Sequence, residues 1–167
     1  WGWAKGCGVD QKSFVVMSQV PGESIERWLP RQEFGSTVDS WRKKIRLVQQ
    51  VAGFSKRLHE NGWFHRDYYL CHIFITEKGG EFQLALVDLA RMFRPRWRIE
   101  RWQIKDLAQL DFSTPRNYFA RTLRLRFAKA YLGTSRLSPA HKILLRKIAK
   151  RSGEIARREA RKKTALS

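Results

Sequence analysis

The spacing of hydrophobic residues along the chain predicts a strand, a long helix and then a hairpin. Residues 13–20 form a short apolar run, rich in β-branched side chains and closed by Pro21-Gly22, which predicts a buried strand. Between residues 38 and 58, apolar residues recur every three or four positions, which predicts a long amphipathic helix. Two further short strands are predicted on either side of a turn-forming segment. The strands are 73–75 and 84–87, and the turn is 77–80.

Helical spacing returns in the second half of the chain. It covers three segments: 102–112, 118–131 and 139 onward. The order of elements predicts an α+β fold in which a small sheet packs against a helical body. We expect residues 1–167 to form one domain that ends in a loose basic tail at 150–167, and we expect this domain to be part of a longer protein.

The charge balance points to an anionic partner. The chain has 34 Lys and Arg against 15 Asp and Glu, a formal net charge of +19. Nucleic acid, an acidic membrane surface and phosphorylated substrates would all satisfy this excess. With 2 Cys, the chain lacks both a disulfide framework and the paired spacing of a structural zinc site, which favours a reducing, cytosolic setting.

Two carboxylates flank the predicted hairpin. Asp67 lies in the His65–His72 segment before it, and Asp88 follows its second strand. Because both ends of a hairpin reach the same edge, we expect these side chains to lie close together. A phosphoryl-transfer enzyme needs one carboxylate near the acceptor hydroxyl and a second that holds Mg²⁺. The kinase signature is His-Arg-Asp, a later Asn and then Asp-Phe-Gly; here His-Arg-Asp is intact, His72 replaces the Asn, and Asp88-Leu89-Ala90 replaces Asp-Phe-Gly.

Four motifs together resemble the lipopolysaccharide core kinase family, bacterial enzymes that phosphorylate Kdo or heptose sugars and are similar to divergent protein kinases. The motifs are residues 65–74, 87–89, 96–98 and 105–108, within a resemblance that runs from about 14 to 112. The resemblance implies a protein-kinase-like fold, with ATP and Mg²⁺ as cofactors. The chain would supply mostly the helical C-terminal lobe, since no Gly-rich loop or strand Lys precedes the hinge-like segment, so the N-terminal lobe would be largely absent.

The resemblance also implies roles for individual residues around the hairpin. Asp67 would be the catalytic base that orients or deprotonates the sugar hydroxyl. Asp88 would bind Mg²⁺, with His72 at the position of the second metal-binding residue. Asp106 would brace the catalytic loop from a helix, which is a structural role.

A hinge-like segment at residues 16–22 is implied to hold the nucleotide. The backbone of Ser18 and Val20 would hydrogen-bond adenine, and Glu23 would reach the ribose.

Arginines interleaved with aromatic residues follow Asp88. Guanidinium groups match the geometry of phosphates and carboxylates, so this segment is expected to bind the acceptor glycolipid. The residues are Arg91, Arg94, Arg96 and Arg98. A basic C-terminal helix would be attracted to anionic lipid, and we expect a cytoplasmic enzyme peripheral to the inner membrane, with lipopolysaccharide core as its partner.

Other interpretations compete with the kinase assignment. The basic, Trp-rich composition would also suit a nucleic-acid-binding module, but no RNA-binding signature is present and core packing would account for the Trp residues, so no nucleic acid is expected. A catalytically dead relative, or a kinase for another small molecule, stays open. His65, Asp67 and His72 could instead bind zinc or iron, while His59 is expected on a solvated face of the long helix.

Overall fold

The structure is a computed structural model that describes residues 2–5, 11–14, 19–32, 34–35 and 37–165. Two antiparallel sheets are formed. Strands β1 (Gly2–Lys5) and β2 (Gln11–Phe14) make the first, and β3 (Glu23–Ser24), β4 (Ile73–Lys78) and β5 (Glu81–Leu86) make the second in the order β3-β4-β5. All pairings are antiparallel. In the second sheet, the short strand β3 is added beside the β4–β5 hairpin.

The predicted strand at 13–20 is wrong in its bounds. Strand β2 ends at Phe14, residues 15–18 lie outside the described part of the chain, and Gln19 and Val20 have no regular structure. The apolar run is therefore not one continuous strand. The short strand β3 begins only after Gly22.

The hairpin is present, but its turn is tighter than predicted. Strand β4 extends through Glu77 and Lys78, leaving Gly79 and Gly80 as a two-residue turn with φ of 60° and 80°. Both values lie in the left-handed region that a Gly-Gly turn adopts at little steric cost. The turn sits at the end of the hairpin opposite the functional loop.

The long helix is found where the spacing predicts it. Helix α2 (Val38–Glu60) begins at Thr37, whose hydroxyl accepts a hydrogen bond from the Ser40 N–H, and it ends at Asn61. A short helix, α1 (Ile25–Trp28), precedes it. The inner face of α2 carries Leu47, Val48 and Val51 into the core.

Three more helices follow in the described part of the chain: α3 (Ile99–Ser113), α4 (Arg121–Leu132) and α5 (Pro139–Thr164). The residues expected to form a loose tail belong to α5, which continues as helix through Thr164. One apolar cluster joins the hairpin to α1, α2 and the start of α4, while a second joins α2, α3, α4 and α5. The predicted arrangement of a small sheet on a helical body is confirmed.

The tryptophans differ widely in their exposure. The expectation that core packing accounts for them holds for Trp28, which is buried, but not for Trp97, which is 82% exposed. Trp97 lies in the segment between β5 and α3. Among the described residues, no helix combines the length and apolar character needed to cross a bilayer.

Candidate active site

The site is built around the loop that joins α2 to β4. Phe64, at the start of this loop, forms a two-bond antiparallel bridge with Phe93, with both N···O distances 3.0 Å. The next residues, His65 and Tyr68, are fully buried. The Tyr68 hydroxyl hydrogen-bonds the Ser55 hydroxyl of α2 at 2.8 Å, and burial raises the Tyr68 pKa above its usual value. The loop is therefore fixed from within the core.

Asp106 of α3 holds the loop backbone from below. Its fully buried carboxylate accepts the backbone N–H groups of His65 at 2.7 Å and Arg66 at 2.9 Å, one on each oxygen. Arg66 has φ of 72°, a left-handed conformation that non-glycine residues adopt at a cost of about 1 kcal/mol. The two charge-assisted bonds stabilise this turn, which leads directly into Asp67. The predicted role of Asp106 as a brace stays a prediction, which these two hydrogen bonds support.

Two further polar residues of α3 continue this contact along the loop. Gln109 Oε1 accepts the Tyr68 N–H at 3.1 Å, and Ser113 Oγ accepts the Leu70 N–H at 3.0 Å. With Asp106 they form a polar stripe at helical spacing i, i+3 and i+7. Gln109 and Ser113 are not among the residues predicted from the sequence, although this stripe among apolar neighbours was a visible signal.

The loop is also tied to the end of the hairpin. His65 Nε2 hydrogen-bonds the Val87 carbonyl at 2.9 Å, and the Val87 N–H donates to the His72 carbonyl at 3.0 Å. Asp88 follows at once, with φ of 56° and ψ of 56°. Its left-handed backbone turns the chain away from the direction of β5, and a 3₁₀ turn over Leu89–Arg91 follows.

His72 lies between the backbone of Asp67 and the side chain of Asp88. A backbone carbonyl can only accept, so His72 Nδ1 carries the proton in its 2.7 Å hydrogen bond to the Asp67 carbonyl. The opposite ring nitrogen, Nε2, lies 3.8 Å from Asp88 Oδ2. The imidazole thus connects the loop that carries one carboxylate to the second carboxylate.

The donor set fits Mg²⁺ in part. Mg²⁺ prefers oxygen ligands, keeps several waters, and commonly binds one or two carboxylates together with substrate phosphates. Asp88, with a side chain 56% exposed, meets that description. His72 offers a nitrogen, which suits Mg²⁺ less well than the oxygen of an asparagine. The transition-metal alternative lacks a ligand cluster, because among the residues described no three His, Cys, Asp or Glu side chains are grouped to hold an ion.

Cations surround Asp67. Arg91 Nη1 lies 2.8 Å from Asp67 Oδ2 and 3.1 Å from Oδ1, so one guanidinium nitrogen contacts both oxygens. Lys105 of α3 donates to the Arg66 carbonyl. Burial lowers the pKa of Lys105, and the Asp67 and Asp106 charges oppose that shift. Two cationic side chains therefore lie close to Asp67 and the loop that carries it.

The other predicted acceptor-binding arginines differ in their surroundings. Arg94 Nη2 donates to the Asn61 carbonyl at 2.7 Å, and its guanidinium lies 4.9 Å from the Trp63 ring centre. Arg94 therefore ties the segment to the end of α2. Arg96 and Arg98 are exposed and form no ion pair within the described part of the chain.

The nucleotide-binding expectations are only partly described. Ser18 lies outside the described residues, and Val20 is half-buried without regular structure. Glu23, in β3, forms an ion pair with Arg31. Gly22 has φ of 84°, and a Cβ there would lie 2.2 Å from the Ile75 carbonyl oxygen, so this position requires glycine.

The expectation for His59 is wrong. Its side chain is 5% exposed, its Nδ1 lies 2.7 Å from the Tyr131 hydroxyl, and its Nε2 lies 3.5 Å from Asp106 Oδ2. The ring also stacks on Phe64. His59 thus joins α2 and α4 to the Asp106 brace.

A separate, largely apolar cavity lies between α2, α3, α4 and α5. Its volume is about 510 Å³, within the range of small-molecule sites. Leucine, isoleucine and valine side chains form most of the wall. Three arginines also line it: Arg121, Arg124 and Arg146.

Comparisons with known proteins agree with this arrangement. A model of the lipopolysaccharide kinase (Kdo/WaaP) family matches residues 2–131. The chain is 32% identical over 125 residues to the lipopolysaccharide core heptose(I) kinase WaaP of Pseudomonas aeruginosa, covering 72% of this chain and 46% of that protein. It is 29% identical over 151 residues to WaaP of Escherichia coli K12, covering 84% of this chain and 56% of that protein.

A solved structure, WaaP in complex with acyl carrier protein, superposes with a TM-score of 0.65 at 27% identity, covering 82% of this chain and 58% of that one. The chain thus spans about half the length of the relatives that it matches. The fold is therefore kinase-like, and the chain belongs to the lipopolysaccharide kinase (Kdo/WaaP) family.

Proposed function

We propose that the protein containing this chain is an ATP- and Mg²⁺-dependent kinase that phosphorylates a sugar hydroxyl of the lipopolysaccharide inner core. The observation that supports this most is the position of His72, which hydrogen-bonds the backbone carbonyl of Asp67 at 2.7 Å and lies 3.8 Å from the Asp88 carboxylate. Phosphoryl transfer requires two carboxylates close to one another, and we propose that the side chains of Asp67 and Asp88 meet this requirement. The acceptor we propose is a heptose, because the relatives are named heptose(I) kinases; Kdo is the alternative.

We assign to Asp67 the role of the base that acts on the acceptor hydroxyl. We propose that the sugar oxygen attacks the γ-phosphorus as the bond to the β-phosphate oxygen breaks, and that Asp67 accepts the hydroxyl proton. The braced backbone at His65 and Arg66 would hold that carboxylate in place during the transfer. Mg²⁺, held by Asp88, would supply charge neutralisation on the phosphates.

Arg91 would alternate between two partners in this proposal. One of its nitrogens contacts both oxygens of Asp67 in the structure. An acceptor phosphate or carboxylate would compete for the guanidinium and leave the Asp67 carboxylate free to meet the hydroxyl. Arg91 would then link recognition of an anionic acceptor to exposure of the base.

The test is transfer of phosphate from ATP to purified core glycolipid by the full-length protein. Asp67→Asn should lower turnover by about 10²–10⁴-fold, the usual contribution of a general base, with unchanged circular dichroism. Asp39→Asn is the matched control, since Asp39 is 91% exposed on the outer side of α2. Turnover near wild type in Asp67→Asn would contradict the proposal. Acceptors that contain Kdo but no heptose would decide between the two sugars.

A second proposal concerns a protein partner. The solved relative is in complex with acyl carrier protein, and the apolar cavity with arginines in its wall suits an acyl chain carried beside a phosphate. We propose that this chain also binds an acyl carrier protein in its acylated form. The cavity wall is formed in part by Ala128, which is buried on α4.

Calorimetric titration with acylated and unacylated carrier protein tests this partner. We expect tighter binding of the acylated form, and we expect Ala128→Phe to remove that difference by filling the cavity. Ala140→Phe serves as the control, because Ala140 is exposed at the start of α5 and is not part of the cavity wall. Equal affinity for both forms of the carrier would refute the acyl-chain interpretation.

A further inference from the structure

The segment from Leu89 to Ile99, here called the 89–99 lip, combines exposed hydrophobic side chains with an excess of basic residues. Trp97 is 82% exposed, Ile99 56% and Leu89 52%. The same eleven residues contain four arginines and no aspartate or glutamate. Large exposed apolar residues flanked by basic ones are unusual on a surface that meets only water.

The central residues of the lip are held by specific contacts, whereas Trp97 near its C-terminal end is exposed. Phe93 pairs with Phe64 through two backbone hydrogen bonds and packs edge-on against Trp102 at 4.8 Å. The next residue, Arg94, donates a side-chain hydrogen bond to the Asn61 carbonyl. Specific contacts thus position this segment, yet the described residues leave most of the Trp97 side chain uncovered.

We propose that the 89–99 lip is a membrane-interfacial anchor that binds an anionic lipid surface. Tryptophan is enriched at bilayer interfaces because its ring is apolar while its N–H is polar. Arg96 and Arg98 flank Trp97 without an ion pair among the described residues, so both guanidinium groups are available to lipid phosphates. Leu89 and Ile99, at the two ends of the lip, are exposed aliphatic residues, and such groups suit a bilayer better than they suit nucleotide bases.

The position of the lip relative to the site strengthens this inference. Its first turn carries Arg91, which contacts Asp67, so an anchored lip would bring that carboxylate to the membrane surface. The inference rests on the proposed function only for the statement that the acceptor is a membrane lipid. Lipid binding itself is independent of catalysis.

Co-sedimentation with vesicles of phosphatidylethanolamine and phosphatidylglycerol, without ATP or acceptor, tests the anchor. Each arginine near an anionic surface contributes about fivefold in affinity. We therefore expect Arg96→Ala with Arg98→Ala to lower vesicle affinity by about 25-fold. Trp97→Ala should lower it at least fivefold. Trp41→Ala is the control, since Trp41 is also exposed, at 40%, but lies on α2 outside the lip, and it should leave affinity unchanged.

Three outcomes would overturn the anchor. Vesicle affinity could be the same in Trp97→Ala and wild type, or Trp41→Ala could reduce it equally. Trp97→Ala could instead weaken binding of single-stranded RNA while leaving vesicle binding unchanged, which would assign the surface to nucleic acid. If the full-length protein bound vesicles through Trp97 but transferred no phosphate to core glycolipid, the proposed function would be refuted and the anchor would still be supported.

Discussion

Replacing Asp106 by Asn tests whether one buried carboxylate holds the candidate active site. The substitution keeps the size of the side chain and one oxygen, but it turns the second acceptor into an NH₂ donor. Each Asp106 oxygen accepts one backbone N–H, from His65 at 2.7 Å and from Arg66 at 2.9 Å. One of these N–H groups must therefore face a donor in the variant.

The structure indicates which bond is lost and how much that costs. His65 is fully buried while Arg66 is half-buried, so the Asn oxygen should stay with His65, where water cannot replace it. A hydrogen bond to a charged group contributes about 1.5–3 kcal/mol, and an unpaired buried donor costs about 1–3 kcal/mol. Since water can partly solvate Arg66, we expect a loss of about 2–3 kcal/mol in the free energy of unfolding.

Urea unfolding of the purified protein measures the global loss, and amide hydrogen exchange localises it. Asp39→Asn is the control, since its exposed pair with Arg42 is worth at most about 0.5 kcal/mol. We expect Asp106→Asn to accelerate amide exchange more at Arg66 than at Leu47, because the strained turn at Arg66, with φ of 72°, loses its support. If Asp106→Asn differed from Asp39→Asn by less than about 0.5 kcal/mol and left exchange at Arg66 unchanged, the brace would be refuted.

Single contacts elsewhere in the fold give three other predictions. Gly22→Ala should destabilise the protein by more than about 2 kcal/mol, because its Cβ would meet the Ile75 carbonyl oxygen at 2.2 Å. Gly79→Ala is the control, since Gly79 has φ of 60° but no atom within 4 Å of the added Cβ, and it should cost about 1 kcal/mol. Equal losses of the two variants in urea unfolding would contradict the clash. Tyr131→Phe removes the hydroxyl that contacts His59 and Gln103, so thermal unfolding should show a loss of about 2 kcal/mol, whereas an unchanged midpoint would argue against that network. Burial lowers the pKa of Lys105 below its usual 10.5, so the unfolded chain binds the proton more tightly between the two values and stability rises with pH there. Lys105→Met should flatten that rise in urea titrations at alkaline pH, and identical slopes would show that Lys105 does not titrate abnormally.

Local periodicity is what made the helices and the hairpin predictable. The spacing of Val38 to Leu58 fixes α2 to within two residues at its C-terminal end, since a helix packed on one face must repeat its apolar positions. The sequence also placed the loop of Asp67 beside the end of the hairpin, where His72 contacts the Asp67 carbonyl and lies 3.8 Å from the Asp88 carboxylate. The 13–20 run failed as a strand because a short apolar run has no periodicity that sets its ends.

The spacing of residues along the sequence could not predict contacts between distant segments. His59 is separated by 4, 7 and 11 residues from Ser55, Ala52 and Val48, which places it on the buried face of α2, yet its polar character favoured the solvated one. Its partner Tyr131 is 72 positions away. Neither the left-handed turn at Arg66 nor the Arg91–Asp67 pair has a local signal, since each depends on how α3 and the lip pack against the loop.

The position of Asp67 therefore depends on α3 more than on its own motif. His-Arg-Asp is a short motif, and Arg66 adopts a backbone conformation that an isolated peptide would avoid. What holds it is the stripe of Asp106, Gln109 and Ser113, which accepts backbone N–H groups at residues 65, 66, 68 and 70. A related sequence that kept His-Arg-Asp but replaced this stripe with apolar residues would leave those four donors unpaired, and we expect its loop to lose the conformation that presents Asp67.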